Sequence, residues 1–213
     1  MEPSVERFRR DLLRWGRANR RSFPWRETDD PYQVLVAEVL LQRSRGTTVA
    51  KVFLRFVERW PTAEDLARAR VPSIASVIRP LGLTRRAATL KEMAGEIVEL
   101  GGVPSTLDDL QALPGVGSYA AGATMAVAFG KRVPVVDGVT ARVYRRYFGA
   151  SGSAPASSDV ELWDLVRDSS PRRNSREWNW AVLDLASAVC LPQVPRCNVC
   201  PLMAHCRWSQ TRS

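Results

Sequence analysis

Residues 113–143 read LPGVGSYAAGATMAVAFGKRVPVVDGVTARV. Gly115 and Gly117 stand two positions apart among apolar residues, and a helical pattern continues from Ser118. Together with STLDDLQAL (105–113), the stretch predicts a helix, a tight turn and a second helix, because glycine permits conformations and close approaches that a Cβ prevents. The amide groups of the turn, including that of Val116, would form a site for a phosphate oxygen. An ordinary helical hairpin with glycines for packing is an equal alternative on this evidence.

The helical pattern extends over almost the whole chain. Apolar residues recur three to four positions apart, and no segment shows the sustained alternation of a strand. Proline, serine and threonine mark the breaks WPT, VPS, VPST and LPG. The loosest stretch, GASGSAPASS (149–158), is typical of a surface loop. The sequence therefore predicts an all-α protein with short connections.

Composition narrows the classes of partner and location. The chain has 213 residues, 45% of them hydrophobic, and a formal net charge of +9. This charge favours a polyanionic partner, although a basic surface without a partner is the alternative. The N-terminal stretch is too polar for a signal peptide, and no apolar run approaches the roughly 18 residues of a membrane span. We expect a cytoplasmic protein with no membrane partner.

All the cysteines of the chain lie in one stretch near its C-terminal end. Six residues separate Cys190 from Cys197, two separate Cys197 from Cys200, and five separate Cys200 from Cys206. In a reducing compartment this clustering favours a metal centre over disulfides. The spacing alone leaves both zinc and an iron–sulfur cluster open. His205 lies in the same stretch and could replace Cys206 as a ligand, but with four cysteines available we expect a solvated surface position for it.

Three of these features occur together and in one order: LPGVGSYAAGA, then VVDG, then the cysteine spacing. In this combination the sequence resembles the helix-hairpin-helix DNA glycosylases of the endonuclease III and MutY superfamily. The resemblance covers nearly the whole chain. FPWRETDDPYQVLVAEVLLQRSR (23–45) is similar to the substrate-pocket segment of the family, and WAVLDLASAVC (180–190) to the helix that leads into its cluster.

The resemblance implies two helical lobes with the active-site cleft between them. One lobe, residues 23–135, would carry the hairpin. The other would combine residues 1–22 with residues 136–213 and hold a [4Fe-4S] cluster in the loop 190–206. The ligands of that cluster would be the four cysteines.

Two carboxylates are the candidates for the chemistry. Asp137 can cap the helix that follows it, and the resemblance identifies it as the catalytic aspartate that stabilises positive charge on the sugar and helps to recruit water. Glu38 lies in an otherwise apolar helix, where a carboxylate is either paired or functional. The resemblance places Glu38 in the base pocket, where it would hydrogen-bond or protonate the departing base. Val139 departs from the pattern, because the family usually has a polar residue there, and valine cannot hold a water molecule.

Tyr119 distinguishes two kinds of glycosylase. In bifunctional relatives a lysine at this position attacks the sugar, and tyrosine cannot form the Schiff base that follows. Lys51, Lys91 and Lys131 lie elsewhere, with Lys91 on a surface-patterned helix. The sequence therefore predicts a monofunctional enzyme without lyase activity, which leaves an abasic site. Simple packing of Tyr119 is the alternative to a place in the sugar pocket.

Substrate choice is predicted from three positions and from the length of the chain. Leu83, in an LGL pattern similar to endonuclease III and Mig-type enzymes, is a candidate wedge, and Gln42 and Arg43 are candidates for filling the vacated space and contacting the opposite base. Packing or plain surface exposure is the alternative for each. Only seven residues follow Cys206, so we expect no C-terminal recognition domain like that of MutY.

We therefore expect a monomeric base excision repair glycosylase that removes thymine or uracil opposite guanine from double-stranded DNA. One alternative is a short MutY-like adenine glycosylase. Another is a non-catalytic protein that binds DNA lesions or structures, an alternative that Val139 keeps open.

Overall fold

The computed structural model of the chain describes residues 3–82, 84–150 and 154–211. Within these residues it has twelve α-helices, several single 3-10 turns and no strand, which confirms the all-α prediction. None of the described helices is long and apolar enough to cross a membrane. The helices are α1 Val5–Asn19, α2 Pro31–Leu41, α3 Gly46–Arg59, α4 Ala63–Arg68, α5 Val71–Ile78, α6 Arg86–Glu99, α7 Leu107–Ala112, α8 Ser118–Val127, α9 Gly138–Phe148, α10 Val160–Ser169, α11 Ser175–Ala188 and α12 Arg207–Gln210.

The chain divides into two compact units. One unit comprises Ser22–Phe129 and is called here the hairpin unit, because it contains α7 and α8. The other combines Met1–Arg21 with Gly130–Ser213 and is called the cysteine unit. The first and last parts of the sequence therefore belong to the same unit.

The hairpin unit is built around α2, which is buried on almost every side. Because most of its faces meet other helices, its sequence lacks the polar stripe of a surface helix. Helix α8 packs against α2, and its run of small residues, Ala120 to Ala123, allows the two backbones to approach closely. This packing brings together the two helices that carry Glu38 and Tyr119.

The cysteine unit has an aromatic core that joins the two ends of the chain. Phe8 of α1 lies 4.7 Å from the ring centre of Tyr147, and 5.4 Å from those of Tyr144 and Trp178. Tyr144 and Tyr147 belong to α9, and Trp178 belongs to α11. These contacts fix α9, which begins directly after Asp137, against α11, which leads to Cys190.

Candidate active site and cysteine pocket

The predicted hairpin is present as the turn between α7 and α8. Gly115 has a φ of +77°, and a Cβ at this position would lie 2.6 Å from Cγ2 of Thr89. Gly117 is the N-cap of α8, and no atom lies within 4 Å of the position that its Cβ would take. Only glycine fits at Gly115, whereas the backbone at Gly117 is open to an approaching group.

Backbone amides stand open at the start of α8. The amide of Val116 donates to the carbonyl of Leu113 at 3.1 Å and closes the turn. Among the described residues, the amides of Gly115, Gly117 and Ser118 have no acceptor. These amides, together with the positive end of the α8 dipole, form a surface suited to an anion.

Asp137 confirms its predicted role as the N-cap of α9. Its Oδ1 accepts from the amides of Val139 and Thr140 at 2.9 and 2.7 Å, and from the Thr140 hydroxyl at 2.9 Å. The Asp137 amide donates back to that hydroxyl at 2.9 Å, which completes a capping box. Its Oδ2 accepts no hydrogen bond from any residue that the structure describes. One carboxylate oxygen is therefore held by the helix while the other is left for a ligand.

Val139 contributes to this cap through its backbone alone. Its amide bonds Asp137, while the residue as a whole is 37% exposed. A polar side chain at this position is not needed for the geometry of the cap. The departure from the family pattern therefore leaves the orientation of Asp137 intact.

Glu38 and Tyr119 are both partly buried in the hairpin unit. Glu38 is the only carboxylate of α2, and Tyr119 lies in the first turn of α8 directly after the hairpin. Asp137 belongs to the cysteine unit. The roles predicted for all three side chains stay predictions.

The residues predicted to contact the opposite base lie just after α2. Nε2 of Gln42 donates to the carbonyl of Gly115 at 2.8 Å, so this side chain contacts the hairpin. Arg43 has a φ of +53°, a left-handed conformation that is unusual for arginine. Both residues are exposed. The predicted wedge, Leu83, lies outside the described residues.

The three lysines offer no amine in the place of Tyr119. Lys51 is exposed on α3, and Lys131 is exposed in the segment between α8 and α9. Lys91 differs from the surface residue that its helix pattern predicted, because it is partly buried and its Nζ donates to the carbonyls of Ala67 and Ala69 at 2.8 Å. Lys91 therefore supplies hydrogen-bond donors to the carbonyl groups at the end of α4.

The four cysteines line one pocket. Burial raises the pKa of Cys200 to about 12 and also raises the pKa of Cys206. Within residues 3–82, 84–150 and 154–211, no three His, Cys, Asp or Glu side chains are arranged as ligands of a metal ion. The thiols thus share a pocket without converging on a single point.

Two arginines of α9 surround Cys190. Arg142 donates to the carbonyls of Cys190 and Ala186 at 2.8 and 2.9 Å. A guanidinium nitrogen of Arg146 lies 3.5 Å from Sγ of Cys190. Arg146 also lies over the ring of Trp208, 4.4 Å from its centre. A positive charge beside these thiols fits a bound group whose thiolate ligands carry negative charge.

His205 was the alternative ligand in this stretch. Its Nε2 lies 2.9 Å from a guanidinium nitrogen of Arg7. The contact ties the cysteine loop to α1, which gives His205 a structural partner.

Sequence reasoning did not identify Thr140 or Arg86 as residues of the site. Thr140 completes the capping box of Asp137, and the spacing D-x-x-T was the signal that could have found it. Arg86 donates to the carbonyl of Gln42. No pattern in the sequence distinguishes it from the neighbouring Arg85.

Comparison with known proteins agrees with this arrangement. The chain is 38% identical over 203 residues to a thymine/uracil-DNA glycosylase of Pyrobaculum aerophilum, covering 92% of this chain and 88% of the relative. It is 41% identical over 219 residues to the adenine DNA glycosylase of Rattus norvegicus, but spans only 42% of that protein. The solved structure of a thermostable thymine-DNA glycosylase superposes with a TM-score of 0.92 at 34% identity, covering 97% of each chain.

The chain thus shares its fold with a solved glycosylase over 97% of each chain. Within this fold lie the hairpin with open amides, the aspartate cap and the cysteine pocket. Residues 36–168, which include the hairpin and Asp137, match the HhH-GPD superfamily of base excision DNA repair proteins. The chain belongs to this superfamily.

Proposed function

We propose that the protein is a monofunctional DNA glycosylase that hydrolyses the N-glycosidic bond of thymine or uracil opposite guanine in duplex DNA. The observation that carries the proposal is the near end-to-end match to the Pyrobaculum thymine/uracil-DNA glycosylase. The solved structure that superposes with a TM-score of 0.92 is likewise that of a thymine-DNA glycosylase. Duplex DNA with a mismatched base would be the partner, and the monomer in the cytoplasm would be the working form.

Asp137 would supply the charge that the reaction needs. As the bond between C1′ and the base breaks, its electron pair leaves with the base and the sugar gains oxocarbenium character. The Oδ2 atom, which the cap leaves unused, can face that positive charge or accept a proton from the attacking water. Fixing Oδ1 with three hydrogen bonds prevents the carboxylate from rotating away.

Glu38 and Tyr119 would act on the two sides of the breaking bond. Glu38, on the buried helix α2, would hydrogen-bond or protonate the departing base, which needs a proton to leave as a neutral molecule. Tyr119 would line the sugar pocket. Because tyrosine offers no amine, water is the nucleophile and the product is an abasic site. The cleft that the family resemblance predicts for these groups stays a prediction.

The hairpin unit would hold the DNA. The open amides at Gly115, Gly117 and Ser118 would bind a backbone phosphate, with Val116 closing the turn behind them. Gln42 and Arg43 would contact the opposite base, and Leu83 would enter the stack as the target base flips out.

The cysteine pocket would hold a [4Fe-4S] cluster. Its four thiols, with Arg146 beside Cys190, are a donor set suited to the group. A four-iron cluster separates its thiolates more widely than one zinc ion does, so thiols that do not converge on a point are compatible with it. When bound, the cluster would cross-link Cys190, Cys197, Cys200 and Cys206 and so stabilise the loop.

Removal of adenine is the second candidate, because the rat adenine DNA glycosylase shares 41% identity over 97% of this chain. The chain spans less than half of that relative, so its whole activity does not transfer. Of the Pyrobaculum thymine/uracil-DNA glycosylase, 88% is covered.

A panel of duplexes tests this proposal and the alternatives together. Duplexes that contain a G·T, G·U, A·8-oxoguanine or A·G pair, or an oxidised pyrimidine, are incubated with the protein. Strand nicking is then measured with and without alkali. We expect cleavage at G·T or G·U that requires alkali. Release of adenine would support the second candidate function, an adenine glycosylase. Nicking without alkali would contradict the role of Tyr119. Inactivity on every duplex would favour a protein that only binds DNA.

Gly117 offers a direct test of the phosphate site. Gly117→Ala adds a methyl group in open space, so the free energy of unfolding should change by less than about 0.5 kcal/mol. The methyl group would occupy the path of a phosphate, and DNA affinity should fall about tenfold in fluorescence anisotropy.

Gly115→Ala is the matched comparison for this variant. Because Gly115 has a φ of +77° and a Cβ there would lie 2.6 Å from Thr89, Gly115→Ala should also lower the free energy of unfolding, by about 1–3 kcal/mol. Unchanged DNA affinity in Gly117→Ala would place the phosphate elsewhere.

A further inference from the structure

Arg86, the first residue of α6, connects separate parts of the hairpin unit. Helix α2 ends at Leu41, and the last carbonyls of a helix have no partner within it. Arg86 supplies partners from a distance: its guanidinium donates to the carbonyl of Leu40 at 3.2 Å and to the carbonyl of Gln42. A nitrogen of the same group lies 3.5 Å from Oγ of Ser44. Arg86 thus holds the segment 42–44 in place.

This segment has an unfavourable conformation that requires support. Arg43 has a φ of +53°, and an arginine in the left-handed region costs about 1 kcal/mol or more. The cost is offset by neighbouring contacts, which include the bond from the Ser44 amide to the Leu41 carbonyl at 3.0 Å. The planar fork of a guanidinium can donate in several directions at once, which a lysine ammonium on its flexible stem does less well.

The same face of α6 also supports the hairpin. Thr89 is three residues after Arg86, so the two side chains share one face of the helix. A Cβ at Gly115 would meet Thr89 at 2.6 Å, which shows how closely the turn lies against α6. Gln42 closes the connection, because its Nε2 donates to the carbonyl of Gly115 at 2.8 Å. Segment 42–44 and the hairpin are therefore fixed to one support.

We propose that Arg86 is a positioning residue for base flipping: it preforms segment 42–44 against the hairpin, so that Gln42 and Arg43 meet DNA in a fixed geometry. The inference rests on the proposed function, in which these two residues contact the opposite base. Arg86 itself need not contact DNA. Its guanidinium is partly buried against protein carbonyls, and burial and the nearby charge of Arg43 lower its pKa.

The test compares Arg86→Met with Arg85→Met and Arg86→Lys. Arg85 is exposed, precedes Arg86 and has no hydrogen bond among the described residues, so its variant loses the same charge without the network. Flipping is measured as the fluorescence of 2-aminopurine placed beside the thymine of a G·T duplex. Base release is measured in single turnover at saturating enzyme. Hydrogen exchange of peptides covering residues 40–45 reports the segment without DNA.

In Arg86→Met we expect the rate of the fluorescence change and the single-turnover rate of base release each to fall about 10- to 100-fold, because the contacting groups lose their alignment. Exchange should accelerate in residues 40–45 and stay unchanged elsewhere. The slope of log affinity against log salt should be unaffected, whereas loss of a phosphate contact would reduce it by about 0.9. Arg86→Lys should recover part of the rate, and Arg85→Met should resemble the wild type.

Several outcomes would overturn the inference. A reduced salt slope would make Arg86 a phosphate ligand, and faster exchange throughout the chain would make its role one of general stability. Equal exchange in Arg86→Met and Arg85→Met would show that the segment does not depend on Arg86. If the wild type releases no base from any duplex, the proposed function fails, while the exchange measurement still decides whether Arg86 orders the segment.

Discussion

Asp137→Asn should strongly reduce base release while the protein still folds and binds DNA. The substitution keeps an oxygen at the Oδ1 position, and asparagine caps helices about as well as aspartate. The amides of Val139 and Thr140 therefore keep their acceptor. What disappears is the negative charge that would face the sugar cation. We expect the single-turnover rate on G·T or G·U duplexes to fall on the order of 10³-fold.

Two measurements separate this loss from a loss of structure. The free energy of unfolding should change by less than about 1 kcal/mol, since only the interaction of charge with the helix dipole is removed. Affinity for DNA, and its decrease with salt, should persist, because the proposed phosphate contacts belong to other residues. Wild-type base release in Asp137→Asn would remove Asp137 from the mechanism.

Asp159→Asn is a matched control for the same substitution. Asp159 is the N-cap of α10 in the same unit, where it accepts from the amide of Leu162 at 3.0 Å. A hydrogen bond from Arg145 holds the pKa of Asp159 below its usual value. Its contribution to stability is therefore present above the ordinary pKa of an aspartate and is lost as pH falls through the lowered value. At neutral pH the variant should lose this charge pair and keep base release.

Local patterns were sufficient to predict the helices and the hairpin. The turn was predictable from Gly115 and Gly117, because few residues other than glycine adopt the φ of +77° found at Gly115. The cap was predictable because Asp137 directly precedes an amphipathic helix. In each case the residue and its partners lie within a few positions of one another, so the sequence alone carries the information.

Contacts between distant positions could not be predicted in the same way. Gln42 bonds to Gly115, and Arg86 bonds to Leu40 and Gln42, across more than forty residues in each case. Lys91 was misjudged for the same reason, because its partners, Ala67 and Ala69, belong to the end of another helix. An arginine or lysine on a helix looks the same in a sequence whether it faces water or satisfies a distant carbonyl.

The cysteine loop should depend on its bound group for stability. Short-range turns hold much of its backbone, such as the bonds from Cys200 to Cys197 and from Cys206 to Met203, while Arg142 and Arg146 of α9 bond the carbonyls at its start. Leu202 is one of its few buried apolar side chains, whereas Val194, Val199 and Met203 are 78%, 60% and 45% exposed. A segment with so little apolar burial cannot offset the entropy of ordering and requires a cross-link.

Cys200→Ser should therefore lower both the iron content and the stability of the protein. Replacing one thiolate with a hydroxyl removes a strong ligand, and loss of the group would release the loop from the α9–α11 core. We expect a decrease of several kcal/mol in the free energy of unfolding, in line with the coupling of metal binding to folding in small metal sites. Iron and sulfide analysis, visible absorbance and thermal unfolding measure the effect.

Val199→Ser provides the control, since it alters an exposed neighbour in the same loop and leaves all four thiols. That variant should keep the wild-type iron content and melting temperature. Stoichiometric zinc in a colourless wild type would replace the cluster with a zinc site. Equal iron and equal melting temperature in Cys200→Ser and the wild type would show that Cys200 is no ligand and that the loop is held by protein contacts alone.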